Sequence, residues 1–198
     1  LAEDLSEAVV EEIGRLGMAG ATFEVDFDTR DSEDGVIMPD GSRLQATDRG
    51  VDRVRFMISA NPGEPVKPLA EVASGGELSR LMLALKTLGA RGAEIPTIVF
   101  DEIDAGIGGV TAQAVGEKLA VVARRAQVLC VTHLPQVANM ADQHLVVEKR
   151  VSEGRTRIAV RELPEAERIE EIARMYGDQR GTEAAHEHAR EALAEAAR

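Results

Sequence analysis

Nowhere in the 198-residue sequence do eighteen apolar residues follow one another, which excludes an ordinary membrane-spanning helix. A secretory signal is equally absent. The sequence has a single cysteine, Cys130, so no intrachain disulfide can form. It lies in the apolar run Val128-Leu129-Cys130-Val131 and reads as a buried structural thiol, which fits a reducing, cytoplasmic location. Positive charge is scarce, with Lys+Arg 23 against Asp+Glu 35 and a net charge of −12. Phosphate binding runs on Lys and Arg, so this segment is not expected to be the main nucleic-acid surface, although a local basic patch stays open. Internal repeats are absent, and the chain starts at Leu1 inside a helical pattern, which suggests a piece of a longer protein. What is present is a globular composition, 44% hydrophobic, in a chain long enough for one domain with a core.

Residues 1–17 read as a helix, with Leu1, Leu5, Val9, Ile13 and Leu16 at steps of four and three between acids. That stripe suits either a core-facing helix or the last turns of a coiled coil. Thr22 to Phe27 alternates as a strand, and Val54, Phe56 and Ile58 share one face of its expected antiparallel partner. Residues 29–50 are rich in Asp, Gly and Arg and read as a loop; Asn61-Pro62-Gly63-Glu64-Pro65 is a turn cluster. A helix is expected over 76–88, followed by short apolar runs at 97–100, 128–131 and 145–147 with helices between them at 111–125 and 135–141. Buried strands alternating with helices predict an α/β fold with a mostly parallel sheet. A strand at 157–160 is expected to pair with 145–149 across Ser152-Glu153-Gly154, and helices over 164–176 and 182–197 close the chain.

Three stretches carry chemistry. In Ser74-Gly75-Gly76-Glu77, two glycines stand at the mouth of a patterned helix. Free amides of a first turn, the helix dipole and the Ser74 hydroxyl together make an anion site, while a plain Ser-capped helix start is the simpler reading of these residues alone. In Phe100-Asp101-Glu102-Ile103-Asp104, an apolar strand runs into three acids. The carboxyl end of a parallel strand is where α/β proteins bind ligands; one carboxylate there suits Mg²⁺ and its neighbour an attacking water, and a solvated strand exit is an equal reading. In Cys130-Val131-Thr132-His133, a second buried strand ends on an imidazole that suits a phosphate oxygen, although a lone histidine is more often structural.

The order of the three stretches resembles the C-terminal lobe of an ABC-type ATPase head. By that resemblance Ser74, Gly75, Gly76 and Glu77 match the signature motif, and Asp101 the Walker B magnesium acid. Glu102 matches the catalytic glutamate, Asp104-Ala105-Gly106 the D-loop and His133 the switch histidine, and the resemblance implies that Asp104 binds nucleotide together with Ser74, Gly75, Gly76 and Glu77. The blocks Asn61 to Pro65, Lys67-Pro68-Leu69, Val72 to Arg80, Asp101 to Gly109 and Val131 to Ala138 are similar to the RecN family of DNA-repair ATPases, relatives of the SMC proteins. Glu77, where many ABC transporters carry Gln, suits that branch.

The resemblance implies ATP and Mg²⁺ as cofactors, an ATP-dependent homodimer of two heads, and DNA as a partner through the full-length protein, acting in the cytoplasm at the nucleoid. It implies residues 1–17 as the returning end of a coiled coil and 18–198 as the C-terminal lobe. No G-x-x-x-x-G-K-[S/T] occurs, so the phosphate-cradling loop must come from an N-terminal part of the same protein, and this segment alone is expected to be inactive. Other classes fit less well. A nuclease or phosphatase built on Asp101, Glu102 and Asp104 needs a further ligand; a Ser-His-Asp hydrolase would need glycine where Val72 stands; a non-catalytic dimerisation or DNA-binding module leaves Glu102 and His133 without a purpose. His186 and His188, two apart on an expected helix, point to different sides and read as surface residues. Arg80 and Lys86 are candidates for partner contact, with a solvated helix face as the simpler reading.

Overall fold

The computed structural model describes residues 1–72, 74–89, 96–152, 155–178 and 180–196. They form two compact units, Leu1–Leu88 and Gly89–Arg198. Among the described residues, no helix is long and apolar enough to cross a membrane.

The first unit opens with helix α1 (Ala2–Arg15). Its stripe ends in Val9, Ile13 and Leu16, each 0% exposed, so the last turns of this helix face a core within their own unit. Strands β1 (Thr22–Asp28) and β4 (Arg53–Ser59) pair antiparallel, Thr22 opposite Ser59 and Asp28 opposite Arg53. Alternation sorts their side chains. Phe23 and Ile58 are buried on one face, and the Phe23 and Phe56 rings lie 5.5 Å apart on it. On the other face Arg55 reaches Asp26 Oδ2 through Nε at 3.0 Å and Nη2 at 2.7 Å. The short strand β5 (Lys67–Pro68) adds to the free edge of β4. Helix α2 (Gly75–Leu88) buries Gly76, Arg80, Leu81, Leu83 and Ala84.

Two expectations for this unit need correcting. Arg80 is not on a solvated face but buried, and burial holds its guanidinium below its ordinary pKa against the pull of Glu77. Residues 29–50 are not a plain loop; they hold strands β2 (Asp31–Ile37) and β3 (Arg43–Leu44), antiparallel and with a register shift between Asp31 and Val36. Their polar side chains hide the pattern, because a mostly solvated hairpin has no buried face to advertise. Gly35 sits in the irregular stretch, where a Cβ would lie 2.4 Å from the Leu44 carbonyl oxygen and 2.6 Å from its carbon. Those atoms are backbone and cannot swing aside, so Gly35→Ala is expected to open the hairpin locally at a cost of ~1–3 kcal/mol. Amide hydrogen exchange at Leu44 checks it: protection equal to the parent's would count against the assigned pairing.

The second unit is built on a β-α-β crossover. Strand β6 (Thr97–Phe100) runs parallel to β7 (Gln127–Cys130), in register from Thr97 opposite Gln127 to Phe100 opposite Cys130, and α3 (Gly109–Ala123) joins them. Ala112, Val115, Leu119 and Val122 recur at helical spacing and are buried. Val99, Leu129 and Val131 stay largely exposed. After β7 comes the single turn α4 (Pro135–Ala138), then an antiparallel hairpin of β8 (Leu145–Ser152) and β9 (Arg155–Glu162). The hairpin matches the expected partnership of 145–149 with 157–160, while Glu153 and Gly154 of its expected turn lie outside the described residues.

The α/β class holds, but the expected mostly parallel sheet does not. Among the described residues β6–β7 is the one parallel pair; β1-β4-β5, β2–β3 and β8–β9 are antiparallel. Leu145 to Val147 was expected as a third buried strand, yet its apolar run belongs to an eight-residue strand whose nearest complement is β9. Helices α5 (Glu165–Met175) and α6 (Glu183–Ala196) close the unit over a core of Ala138, Ile172, Ala173 and Ala189. Arg168 ties them to α4: its Nη2 donates to the carbonyls of Ala138, Asn139 and Ala141 at 3.4, 3.2 and 2.5 Å, around the end of that helix. The Tyr176 hydroxyl accepts from Asn139 Nδ2 at 3.1 Å, and His188 packs edge-on against the Tyr176 ring.

Candidate functional site

The register of β6 and β7 decides what meets at their ends. Parallel strands in step finish on the same side, so the residues that follow Phe100 and Cys130 emerge side by side at the carboxyl edge. The Val131 N–H donates to the Phe100 carbonyl at 3.0 Å and carries the pairing one step further. Asp101-Glu102-Ile103-Asp104 and Thr132-His133 are thereby neighbours, although the sequence separates them by a whole helix.

Glu102 has a φ of 58°, which no other non-glycine residue shares among those described. A side chain in the left-handed region costs ~1–2 kcal/mol. The turn holds it there from both sides. The Glu102 N–H donates to Asp101 Oδ1 at 2.9 Å, the Ala105 N–H donates to the Glu102 carbonyl at 3.0 Å, and Ile103 is wholly buried. Both carboxyl groups, Asp101 and Glu102, belong to exposed residues at the strand end. Hard oxygen donors so placed fit a magnesium ion or a water molecule.

Asp104 lies on the inner side of the same turn, with its side chain 5% exposed. Its Oδ2 accepts from Thr132 Oγ1 at 2.5 Å and from the His133 N–H at 2.9 Å, and His133 Nδ1 stands 3.1 Å away. Thr132 Oγ1 also accepts from the Leu134 N–H at 3.1 Å. The His133 ring is 73% exposed, so it is held at its base and open at its tip. Sequence reasoning gave Thr132 no part; a hydroxyl directly before a strand-end histidine was the available signal.

Cys130, expected as a buried thiol, is half-buried, and its Sγ lies 3.8 Å from the Val131 carbonyl oxygen. Burial first, then the negative charges of Asp104 and Asp101, push its pKa up to about 12. The thiolate population at pH 8 falls far below that of an ordinary cysteine, partly offset by the greater nucleophilicity of a more basic thiolate. Alkylation by iodoacetamide at pH 8 is expected to run roughly 30–100-fold slower than for an unperturbed thiol. Labelling at the rate of free cysteine would show that burial and the two acids do not raise its pKa.

Ser74, Gly75, Gly76 and Glu77 belong to the first unit, and Ala73 beside them lies outside the described residues. Ser74 Oγ accepts from the Glu77 N–H at 3.4 Å and its carbonyl accepts from the Leu78 N–H at 3.1 Å, so Ser74 caps α2. Ser74 and Gly75 are exposed, Glu77 is half-buried and Gly76 is buried. A cleft lined by Ser74, Glu77, Asn61, Glu64 and Lys67 opens beside this helix start. A cap of this kind leaves the remaining first-turn amides facing outward, which is the condition for holding an anion.

No family model matches the chain. Individual proteins do. DNA repair protein RecN of Bacillus subtilis (strain 168) is 43% identical over 197 residues, 98% of this chain and 34% of that protein. RecN of Halalkalibacterium halodurans is 45% identical over 193 residues, 98% of this chain and 33% of that protein. RecN of Deinococcus radiodurans is 47% identical over 193 residues, 98% of this chain and 31% of that protein. The chain thus spans about a third of the length of these relatives. Among solved structures, the Smc head domain with a coiled coil and joint from Pyrococcus yayanosii superposes with a TM-score of 0.48 at 18% identity, covering 99% of this chain and 29% of that one, a likeness too slight to bear on function.

Proposed function

The chain belongs to the RecN family of DNA repair proteins, and from that premise we propose that it is the C-terminal part of an ATP-hydrolysing head in a double-strand-break repair protein. The observation that carries this reading is the edge of β6–β7, where a strained Glu102, the adjacent Asp101 and an Asp104-anchored His133 stand together. Strain held at an exposed acid is the kind of feature that folding alone gives no reason to keep.

The donor set fits the cofactors the family implies. Asp101 offers oxygen to Mg²⁺, directly or through water; Ser74 and the first turn of α2 offer donors to a phosphate. When bound, MgATP supplies the phosphoanhydride and the metal neutralises its charge. Glu102 orients the attacking water from a backbone that fixes its direction, and His133 meets a phosphate oxygen with the exposed tip of its ring. Glu77 and Gly76 hold the signature helix in place for the ATP of the opposite head. Two heads close on two nucleotides and part after hydrolysis, a population shift driven by ligand.

The N-terminal part of the same protein supplies the missing phosphate loop. The exposed face formed by Val99, Leu129 and Val131 supports that partnership, since two parallel strands bare on one face are an unfinished sheet. Residues 1–17 as the end of a coiled coil, 18–198 as one lobe, DNA as a ligand of the full-length protein and action at the nucleoid belong to the same proposal. Magnesium-dependent ATP hydrolysis tests it. The chain alone is expected to be silent, and turnover is expected on adding the N-terminal segment. Robust turnover by the isolated chain would overturn the reading.

A further inference from the structure

We propose that Asp104 is a positioning residue for His133: its carboxylate sets which imidazole nitrogen carries the proton and which way the ring faces. The inference deepens the ATPase reading and, for its kinetic consequence, rests on it. Asp104, placed by resemblance in the D-loop and among the nucleotide-binding residues, has a carboxylate turned inward. One oxygen, Oδ2, accepts from the Thr132 hydroxyl and the His133 backbone N–H, and the His133 Nδ1 stands 3.1 Å from it. Two hydrogen bonds and one close ring-nitrogen contact from a single dipeptide converge on a group 5% exposed, so backbone and ring of the switch segment meet the same atom.

A carboxylate oxygen only accepts and repels a bare nitrogen lone pair, so an Oδ2 standing 3.1 Å from Nδ1 favours the proton on that nitrogen. In the neutral ring Nε2 is then a bare lone pair at the exposed tip, ready to take a proton or, once protonated, to donate to a phosphate oxygen. A neutral imidazole without such a partner prefers the opposite arrangement. The negative charge beside one nitrogen thus decides the work of the other. Thr132 steadies the carboxylate from the side, and through Leu134 it ties the segment to the start of α4.

Nitrogen-15 NMR of the intact chain at pH 9 reads the tautomer directly, with His133→Ala identifying the His133 signals among the four histidines. The expected result is the Nδ1–H form for His133. Finding the Nε2–H form in the parent chain would overturn the proposal, whatever any variant does. Asp104→Ala is expected to switch His133 to Nε2–H, and Thr132→Val to leave it unchanged; an Asp104→Ala chain that is folded and still Nδ1–H would also overturn it. In the head completed with the N-terminal segment, Asp104→Ala is expected to lower kcat ~10–100-fold with KM for ATP within about twofold. A rise in KM with kcat unchanged would return Asp104 to the nucleotide-binding residues. If instead His133→Ala leaves turnover untouched, the catalytic reading of the strand end fails while the tautomer measurement still judges Asp104.

Discussion

Glu102→Gln in the completed head is expected to cut ATP turnover ~10²–10⁴-fold, the range for loss of a positioned general base, while ATP binding persists and closed head pairs accumulate. Gln keeps the shape and loses the charge, so a binding defect would speak against a water-orienting role. A companion variant separates chemistry from fold. Glu102 occupies a φ of 58°, a conformation that glycine adopts without penalty. Glu102→Gly relieves the strain but adds chain entropy to the unfolded state, and the balance is expected to stabilise the chain by about 1 kcal/mol. The melting temperature should rise by roughly 2–4 °C while turnover disappears. Opposite signs for stability and activity at one position are the mark of a residue kept for what it does. A Glu102→Gly chain that melts lower than its parent would mean that the turn relies on the glutamate side chain.

The second large effect is expected at Gly116, inside α3 where that helix crosses α4. A Cβ there would lie 2.9 Å from Met140 Cγ, 3.0 Å from the Gln136 carbonyl oxygen and 3.4 Å from Val137 Cα. Two of those three atoms are backbone, so α4 itself must retreat. Gly116→Val is expected to cost about 3 kcal/mol, at the upper end of overpacking, and to lower the melting temperature by roughly 6–12 °C. Helix α4 follows His133 and Leu134 directly, and the Asp104 links to Thr132 and His133 should loosen with it. Gly14 in α1 is the control, since a Cβ there meets nothing within 4 Å. Gly14→Ala should stabilise by ~0.5–1 kcal/mol through helix propensity alone. A Gly116→Val chain that melts like its parent would show that α3 and α4 do not touch as closely as their backbones indicate.

Much of the second unit was legible along the chain. Ala112, Val115, Leu119 and Val122 repeat at helical spacing, and a short apolar run between polar residues marks β6 and β7. The chemical candidates were legible for the same reason: acids directly after one short apolar strand and a histidine directly after another are local facts. Arg80 misled because charge argues for solvent, whereas its place on α2, between the buried Gly76 and Ala84, faces inward. The run at 145–147 was paired correctly but misled about burial, because a short apolar run does not show whether anything covers its face, and Leu145 and Val147 stay exposed.

By itself, then, the sequence determined the α/β class, the helices and most strands, the kinship with RecN, and which residues carry acid, imidazole and capping hydroxyl. Only the tertiary structure decided that Glu102 sits in a left-handed turn, that a Cβ at Gly35 would collide with the Leu44 backbone and one at Gly116 would press on α4, and that one oxygen of Asp104 holds Thr132 and His133. The physical reason is distance along the chain. Composition and periodicity record what each residue prefers among its near neighbours, but Asp104 and His133 meet because β6 and β7 finish in step after an intervening helix, and that register is a property of the packed unit.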